Sequence, residues 1–132
     1  MTIQYAIGEQ VLSRELAEVF ASSGINRPYE DLERMGKMIE QADLLVTARD
    51  NGKLIGIARA LTDFCYCCYL SDLAVDKQYQ HQGVGSHLVS RVQTEIGERT
   101  ALILLSAPSA MEYYPKAGFQ QANNAFLIPR KK

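Results

Sequence analysis

The stretch from Leu70 to Val89 constrains this chain most, because it fixes a strand, a turn and a helix in one run. Leu70 to Val75 is too apolar for a surface loop and too short, before Asp76 and Lys77, for a helix, and it reads as a strand. From Gly85 onward Val89, Val92 and Ile96 recur at helical spacing, with Arg91, Gln93 and Glu95 at polar positions, which predicts an amphipathic helix. Between the two stands Gln80-His-Gln-Gly83-Val-Gly85. Two glycines at a first turn let the backbone approach a ligand with no side chain in the way. The free N–H groups of a helix start, together with the helix dipole, then favour a phosphate.

Two common phosphate loops are excluded residue by residue. A dinucleotide turn needs a third glycine where Leu88 stands, and a P-loop needs a Gly-Lys-Ser/Thr ending that is absent. Gln80-x-x-Gly83-x-Gly85, behind a strand ending in Ala74-Val75, resembles instead the coenzyme A pyrophosphate loop of the GNAT superfamily of N-acetyltransferases. That family's pattern is Gln/Arg-x-x-Gly-x-Gly/Ala, and each defining position matches. A second match lies downstream, where Tyr113-Tyr114-Pro-Lys-Ala-Gly118-Phe119 resembles the family's Phe/Tyr-Tyr-x-Lys-x-Gly-Phe motif at the end of the fourth helix.

The resemblance spans essentially the whole chain. It implies acetyl-CoA as co-substrate, no metal, and direct transfer of the acetyl group to a primary amine of a small molecule or peptide in a ternary complex. It also leaves a homodimer open. In such enzymes the second aromatic of the downstream motif is a tyrosine whose hydroxyl approaches the coenzyme A sulfur, which by position is Tyr114. The chemistry suits it, because attack on a thioester expels a thiolate that a positioned O–H can protonate or hydrogen-bond. Pro115 departs from the common pattern and is expected to distort the helix beside that hydroxyl. The resemblance also implies a bulged strand whose free main-chain groups at Leu73, Ala74 and Val75 bind the pantetheine arm like an added strand. Main-chain N–H groups of the loop Gln80, His81, Gln82, Gly83, Val84, Gly85 and Ser86 would bind the pyrophosphate.

The attacking amine must be neutral, so a base or a water path is needed. Asp72 stands out as a carboxylate inside an apolar strand. Burial there would raise its pKa towards that of a base, but it would serve equally as a cap on the bulge or a counter-ion for a substrate ammonium. His81 and His87 lie at the phosphate end, not the thioester end. Acceptor binding is expected from the two N-terminal helices and the segment Ser22 to Tyr29, with Glu30, Asp31 and Glu33 placed either to attract a cationic amine or simply to start a helix. A reading from another class is a non-catalytic acyl-CoA-binding or sensing module, and a further one is an acyltransferase with another acyl donor or acceptor.

The rest of the chain fits one domain over residues 1–132. Thr2 to Ala6 alternates like a strand. Leu12, Leu16, Val19 and Phe20 mark a helix stopped by Gly24, and a second helix is expected to begin near Pro28 to Asp31 with Leu32, Met35 and Ile39 on its apolar face. Asn51-Gly52 between Leu44–Arg49 and Leu54–Thr62 signals a hairpin. Leu102 to Leu105 reads as a buried strand, Ser109 to Lys116 as a short helix, and Phe119-Gln120 and Ala125 to Ile128 as last strands. This order predicts an α+β fold, GNAT-like, with a mixed, mostly antiparallel sheet flanked by helices on both faces. A net charge of −1 argues against nucleic acid or an anionic membrane as partner. With no membrane-length apolar run, no signal-peptide form, and Cys65, Cys67 and Cys68 clustered without partners, the chain reads as cytoplasmic.

Overall fold

The Asn51-Gly52 turn fixes the middle of the sheet. In the computed structural model, which describes residues 2–132, the two residues take φ of 48° and 82°. A turn with both central residues at positive φ matches the twist of the strands it joins, here β2 (Leu44–Asp50) and β3 (Lys53–Thr62). Ahead of the hairpin come β1 (Ile3–Ile7), α1 (Ser13–Ser23) and α2 (Leu32–Glu40). After it come β4 (Cys67–Val75), α3 (Val84–Ile96), β5 (Ala101–Ile103) and α4 (Tyr113–Lys116). The sheet runs β1-β2-β3-β4-β5, antiparallel up to β4 and parallel between β4 and β5. The parallel step requires a crossover, which α3 supplies.

Each face of the sheet is covered. Val84, Leu88, Val89, Val92 and Ile96 of α3 pack on Val46, Ala58, Leu70 and Val75. Leu16, Val19 and Phe20 of α1 and Met35 of α2 pack on the opposite face, against Leu45, Leu54, Ile57 and Ala74. Two glycines permit close approach. A Cβ on Gly56 would lie 3.2 Å from Val84 Cγ1 and 3.3 Å from Leu88 Cδ1, so glycine there lets the start of α3 settle on β3. A Cβ on Gly36 would lie 3.0 Å from Ser13 Oγ, where α2 meets α1.

Three sequence expectations need correction. The second helix starts at Leu32, not within Pro28 to Asp31, because the Asp31 carboxylate accepts the Arg34 N–H at 3.0 Å as an N-cap and holds the preceding residues in a turn. The fifth strand is Ala101–Ile103, and Ile103 and Leu105 are exposed where a buried strand was expected. Phe119-Gln120 and Ala125 to Ile128 form no strands, and Phe126 and Ile128 are 99% and 95% exposed. A strand needs a ladder partner for its backbone groups. Beyond Ile103 the chain leaves the sheet for a loop and α4, and the last residues form no ladder with any of the five strands.

Candidate active site

The site begins with a break in the side-chain period of β4. Cys68 and Leu70 point into the α3-side core, and Leu73 and Val75 pack there too, whereas Asp72 and Ala74 face the α1–α2 side. A regular strand keeps i, i+2 and i+4 on one face, so the sequence of faces requires an inserted residue. The register shows it. Arg59 opposes Asp72 and Ala60 opposes Leu70, leaving Ser71 without a partner as a β-bulge. Bulges sharpen the local bend, and β5 pairs with β4 only over Cys67–Tyr69. From Leu70 to Val75 the β5-side edge of β4 therefore carries no strand. Such an edge can take an extended ligand through main-chain hydrogen bonds.

That edge runs into the glycine turn. Gly83 is the N-cap of α3 with φ +86°, a conformation that favours glycine, and no side chain caps the helix. The N–H groups of Val84, Gly85 and Ser86 belong to the first turn and have no acceptor within the helix. His81 also has positive φ, 65°, as the chain doubles back. Gln80 does not face this turn with its side chain: Nε2 donates to the Val75 carbonyl at 2.7 Å and the Ser23 carbonyl at 3.3 Å. It therefore braces the loop and uses an acceptor at the end of β4. Gln82 Nε2 donates to the Gln78 carbonyl at 3.3 Å. Ser86 Oγ lies 3.1 Å from Tyr113 Oη, and a Cβ on Gly85 would lie 3.3 Å from the same hydroxyl. His87 stacks on Tyr5 with ring centroids 3.6 Å apart.

A cavity of about 780 Å³ opens beside the unpaired edge, bounded by the α1–α2 connection, Leu70, Ser71 and Leu73 of β4, and the chain between β5 and α4. Tyr114 lines it, half-buried, its ring edge-on to Tyr113 at 5.1 Å and to Phe119 at 5.5 Å. Burial pushes the Tyr114 hydroxyl above its ordinary pKa, Tyr113 adds to the rise, and the positive charge of Arg27 opposes it. Helix α4 includes Pro115 and still presents Tyr114 to the cavity.

Asp72 lies behind this wall with its side chain fully buried. Arg27 Nε donates to Oδ1 at 2.5 Å, and Arg59 Nε donates to Oδ2. Arg27 also donates to the Ser71 and Asn26 carbonyls at 2.7 and 2.8 Å, and Arg59 Nη2 donates to Ser71 Oγ at 3.0 Å. Asp72, expected from the sequence as a base, a cap on the bulge or a counter-ion, thus has both carboxylate oxygens engaged by the guanidiniums of Arg27 and Arg59. Glu30, Asp31 and Glu33 are exposed and none lines the cavity. Sequence reasoning missed Arg27 and Arg59. The available signal was chemical, since a carboxylate inside an apolar strand needs a buried cation, and Arg59 interrupts the apolar run of β3.

The chain thus brings Tyr114, Leu73 and the two arginines to one cavity, sends the side chains of Ala74 and Val75 into the two cores, and sets residues 80–86 at the far end of the open edge. The profile of the acetyltransferase (GNAT) domain matches residues 9–127. An alignment 73 residues long, which covers 52% of this chain, shows 34% identity to GCN5-related N-acetyltransferase 2, chloroplastic, of Arabidopsis thaliana. The chain spans only 27% to 30% of the length of the first curated relatives it matches. Protein SA2161 of meticillin-resistant Staphylococcus aureus, a protein of unknown function, superposes with a TM-score of 0.86 at 22% identity, covering 99% of this chain and 100% of that one. PaiA N-acetyltransferase of Thermoplasma acidophilum, solved in complex with coenzyme A, superposes with a TM-score of 0.72 at 18% identity over 95% of this chain and 94% of that one.

Proposed function

The chain belongs to the GNAT family of acetyltransferases, and we propose that it moves an acetyl group from acetyl-CoA directly to a primary amine of a small molecule or peptide. One observation carries the reading: the unpaired edge of β4 leads straight into the uncapped, glycine-started N-terminus of α3. That is a path for an extended ligand ending in a phosphate. The coenzyme A held by the Thermoplasma relative supports the same ligand class here.

The N–H groups of Val84, Gly85 and Ser86 and the dipole of α3 bind the pyrophosphate. Main-chain groups between Leu70 and Val75 hold the pantetheine arm, apart from the Val75 carbonyl that Gln80 already occupies. Acetyl-CoA supplies, when bound, a thioester that an amine attacks and whose sulfur leaves. Tyr114, which keeps its proton because burial raises its pKa, donates from its O–H to that sulfur. Asp72 fixes Arg27 and Arg59 rather than touching the reactants.

Calorimetric titration of acetyl-CoA and free coenzyme A into the wild type and Gly83→Asp tests the proposal, followed by an amine screen that reads thiol release. Saturable binding abolished by the aspartate is expected, since it places a negative charge and a strained backbone in the turn. No binding to the wild type removes the cofactor assignment. Binding without turnover of any amine, unchanged in Tyr114→Phe, identifies an acyl-CoA-binding module instead.

A further inference from the structure

We infer that the acceptor is an amine that also carries a carboxylate, with Arg34 and Arg130 as the groups that hold its negative end. The inference rests on the reading above, in which this cavity presents an amine to acetyl-CoA.

The argument starts from charge. The chain as a whole is balanced, with 14 lysines and arginines against 15 acidic residues. Its candidate acceptor cavity is not: Arg27, Arg34, Arg59 and Arg130 line it, and among the described residues no aspartate or glutamate does. Two carboxylates adjoin these residues: Asp72 is enclosed behind Arg27 and Arg59 and offsets one of their charges, and Asp31 accepts the Arg34 backbone N–H at 3.0 Å without pairing with its guanidinium. Donors remain after that pairing. Every nitrogen of Arg27 is committed to Asp72, Asn26 or Ser71, whereas Arg59 Nη1 has no acceptor among the hydrogen bonds of the described residues. Arg34 and Arg130 take part in no salt bridge among the described residues. A guanidinium is planar, always charged and matched to a carboxylate by two parallel hydrogen bonds, so unpaired arginines facing one cavity define an anion subsite. A diamine or polyamine would meet uncompensated positive charge there.

The same field has a second effect. Like charges disfavour the protonated form of an amine, so the arginines shift the bound acceptor towards the neutral state that attacks. A cavity without a lining carboxylate can then release the acceptor proton to water, and Asp72 is not required as a base. The volume of about 780 Å³ must also receive the thioester end of the cofactor. An amino-acid-sized acceptor fits beside it, with a short carbon body against Leu104 and Leu127.

The test uses the protein loaded with free coenzyme A and two matched series: leucine with leucine methyl ester, and 4-aminobutyrate with its methyl ester and 1,4-diaminobutane. Dissociation constants are read by calorimetry and kcat/KM by thiol release from acetyl-CoA. The better carboxylated amine is expected to bind about 10-fold to 100-fold more tightly than its ester, the worth of one charge-assisted hydrogen bond. The diamine is expected to be the weakest of its series. Arg34→Gln and Arg130→Gln should narrow the acid–ester gap while leaving the affinity for coenzyme A unchanged. Equal or tighter binding of an ester or the diamine overturns the inference, as does failure of both carboxylated amines to bind. It is also overturned if the glutamine variants lose coenzyme A instead, which would assign the arginines to the cofactor. In all these outcomes the wild type still binds acetyl-CoA. Absence of acetyl-CoA binding is the separate result that removes the reading beneath it.

Discussion

Asp72→Asn separates a carboxylate that holds arginines from one that moves a proton. The Asp72 side chain has no exposure, that of Arg59 has 9% and that of Arg27 has 26%. Asparagine keeps the shape and one acceptor but leaves two guanidiniums without their counter-charge. Removing one partner from a buried ion pair costs about 3–5 kcal/mol. Solvent reaches part of Arg27, which places the expected loss near the lower end, at about 3 kcal/mol. For a chain of 132 residues that is a fall in Tm of roughly 10–15 °C. Thermal and urea unfolding at pH 7 measure it, and the urea slope should stay constant. A compensating variant, Arg59→Met/Asp72→Leu, should recover part of the loss, because an apolar replacement leaves one fewer unpaired buried charge. A loss below about 1 kcal/mol would show that the arginines do not depend on Asp72. A stable Asp72→Asn protein whose kcat falls about 100-fold, with the acidic limb gone from its pH profile, would restore Asp72 as the base.

Four further outcomes follow from the same geometry. Tyr114→Phe should lower kcat by about 100-fold with coenzyme A affinity unchanged, measured by thiol release and calorimetry. Because burial raises the Tyr114 pKa in the folded state above its unfolded value, its proton contributes stability below about pH 10 that fades as pH rises through the folded value. Alkaline unfolding should therefore begin above that point and shift in Tyr114→Phe. Gly83→Ala meets no atom within 4 Å of its new Cβ, so its cost is the positive φ alone, about 1–2 kcal/mol in the unfolding free energy. Deletion of residues 125–132 should change Tm by only about 2 °C, since Phe126 and Ile128 are almost fully exposed, yet it should raise the acceptor KM because Leu127 and Arg130 line the cavity.

What the sequence made legible was whatever local chemistry decides. Asn51-Gly52 specifies a turn because few other pairs accept two positive φ values, and Gly24 ends α1 in the left-handed conformation for the same reason. Gln80 to Gly85 was readable as a turn opening a helix, although the sequence did not show that the Gln80 side chain points back to Val75 and Ser23. Misreadings came from segments whose state depends on a distant partner. Ala125 to Ile128 has strand-like composition, but a strand forms only with a ladder partner, and none of the five strands pairs with it. Asp72 was noticed as anomalous from its apolar neighbours. Its partners, 45 and 13 residues away, are set by tertiary packing.

The bulge at Ser71 ties these features together, and its effect can be followed by removing it in thought. Without the extra residue, Asp72 and Ala74 would share a face with Cys68 and Leu70, which lies in the apolar core beneath α3. Asp72 would then sit among valines and leucines with no arginine in reach. The inserted residue instead turns Asp72 toward the α1–α2 side, where Arg27 arrives from the loop before α2 and Arg59 from the opposed position on β3. It also offers its own carbonyl to Arg27 and its hydroxyl to Arg59, groups that a regular ladder would have engaged or turned away. It lies inside the stretch of β4, from Leu70 onward, that has no β5 neighbour and whose edge leads to Gly83. One irregular residue thus accounts for the arginine wall on which the acceptor reading depends, and it sits within the open strand edge on which the cofactor reading depends.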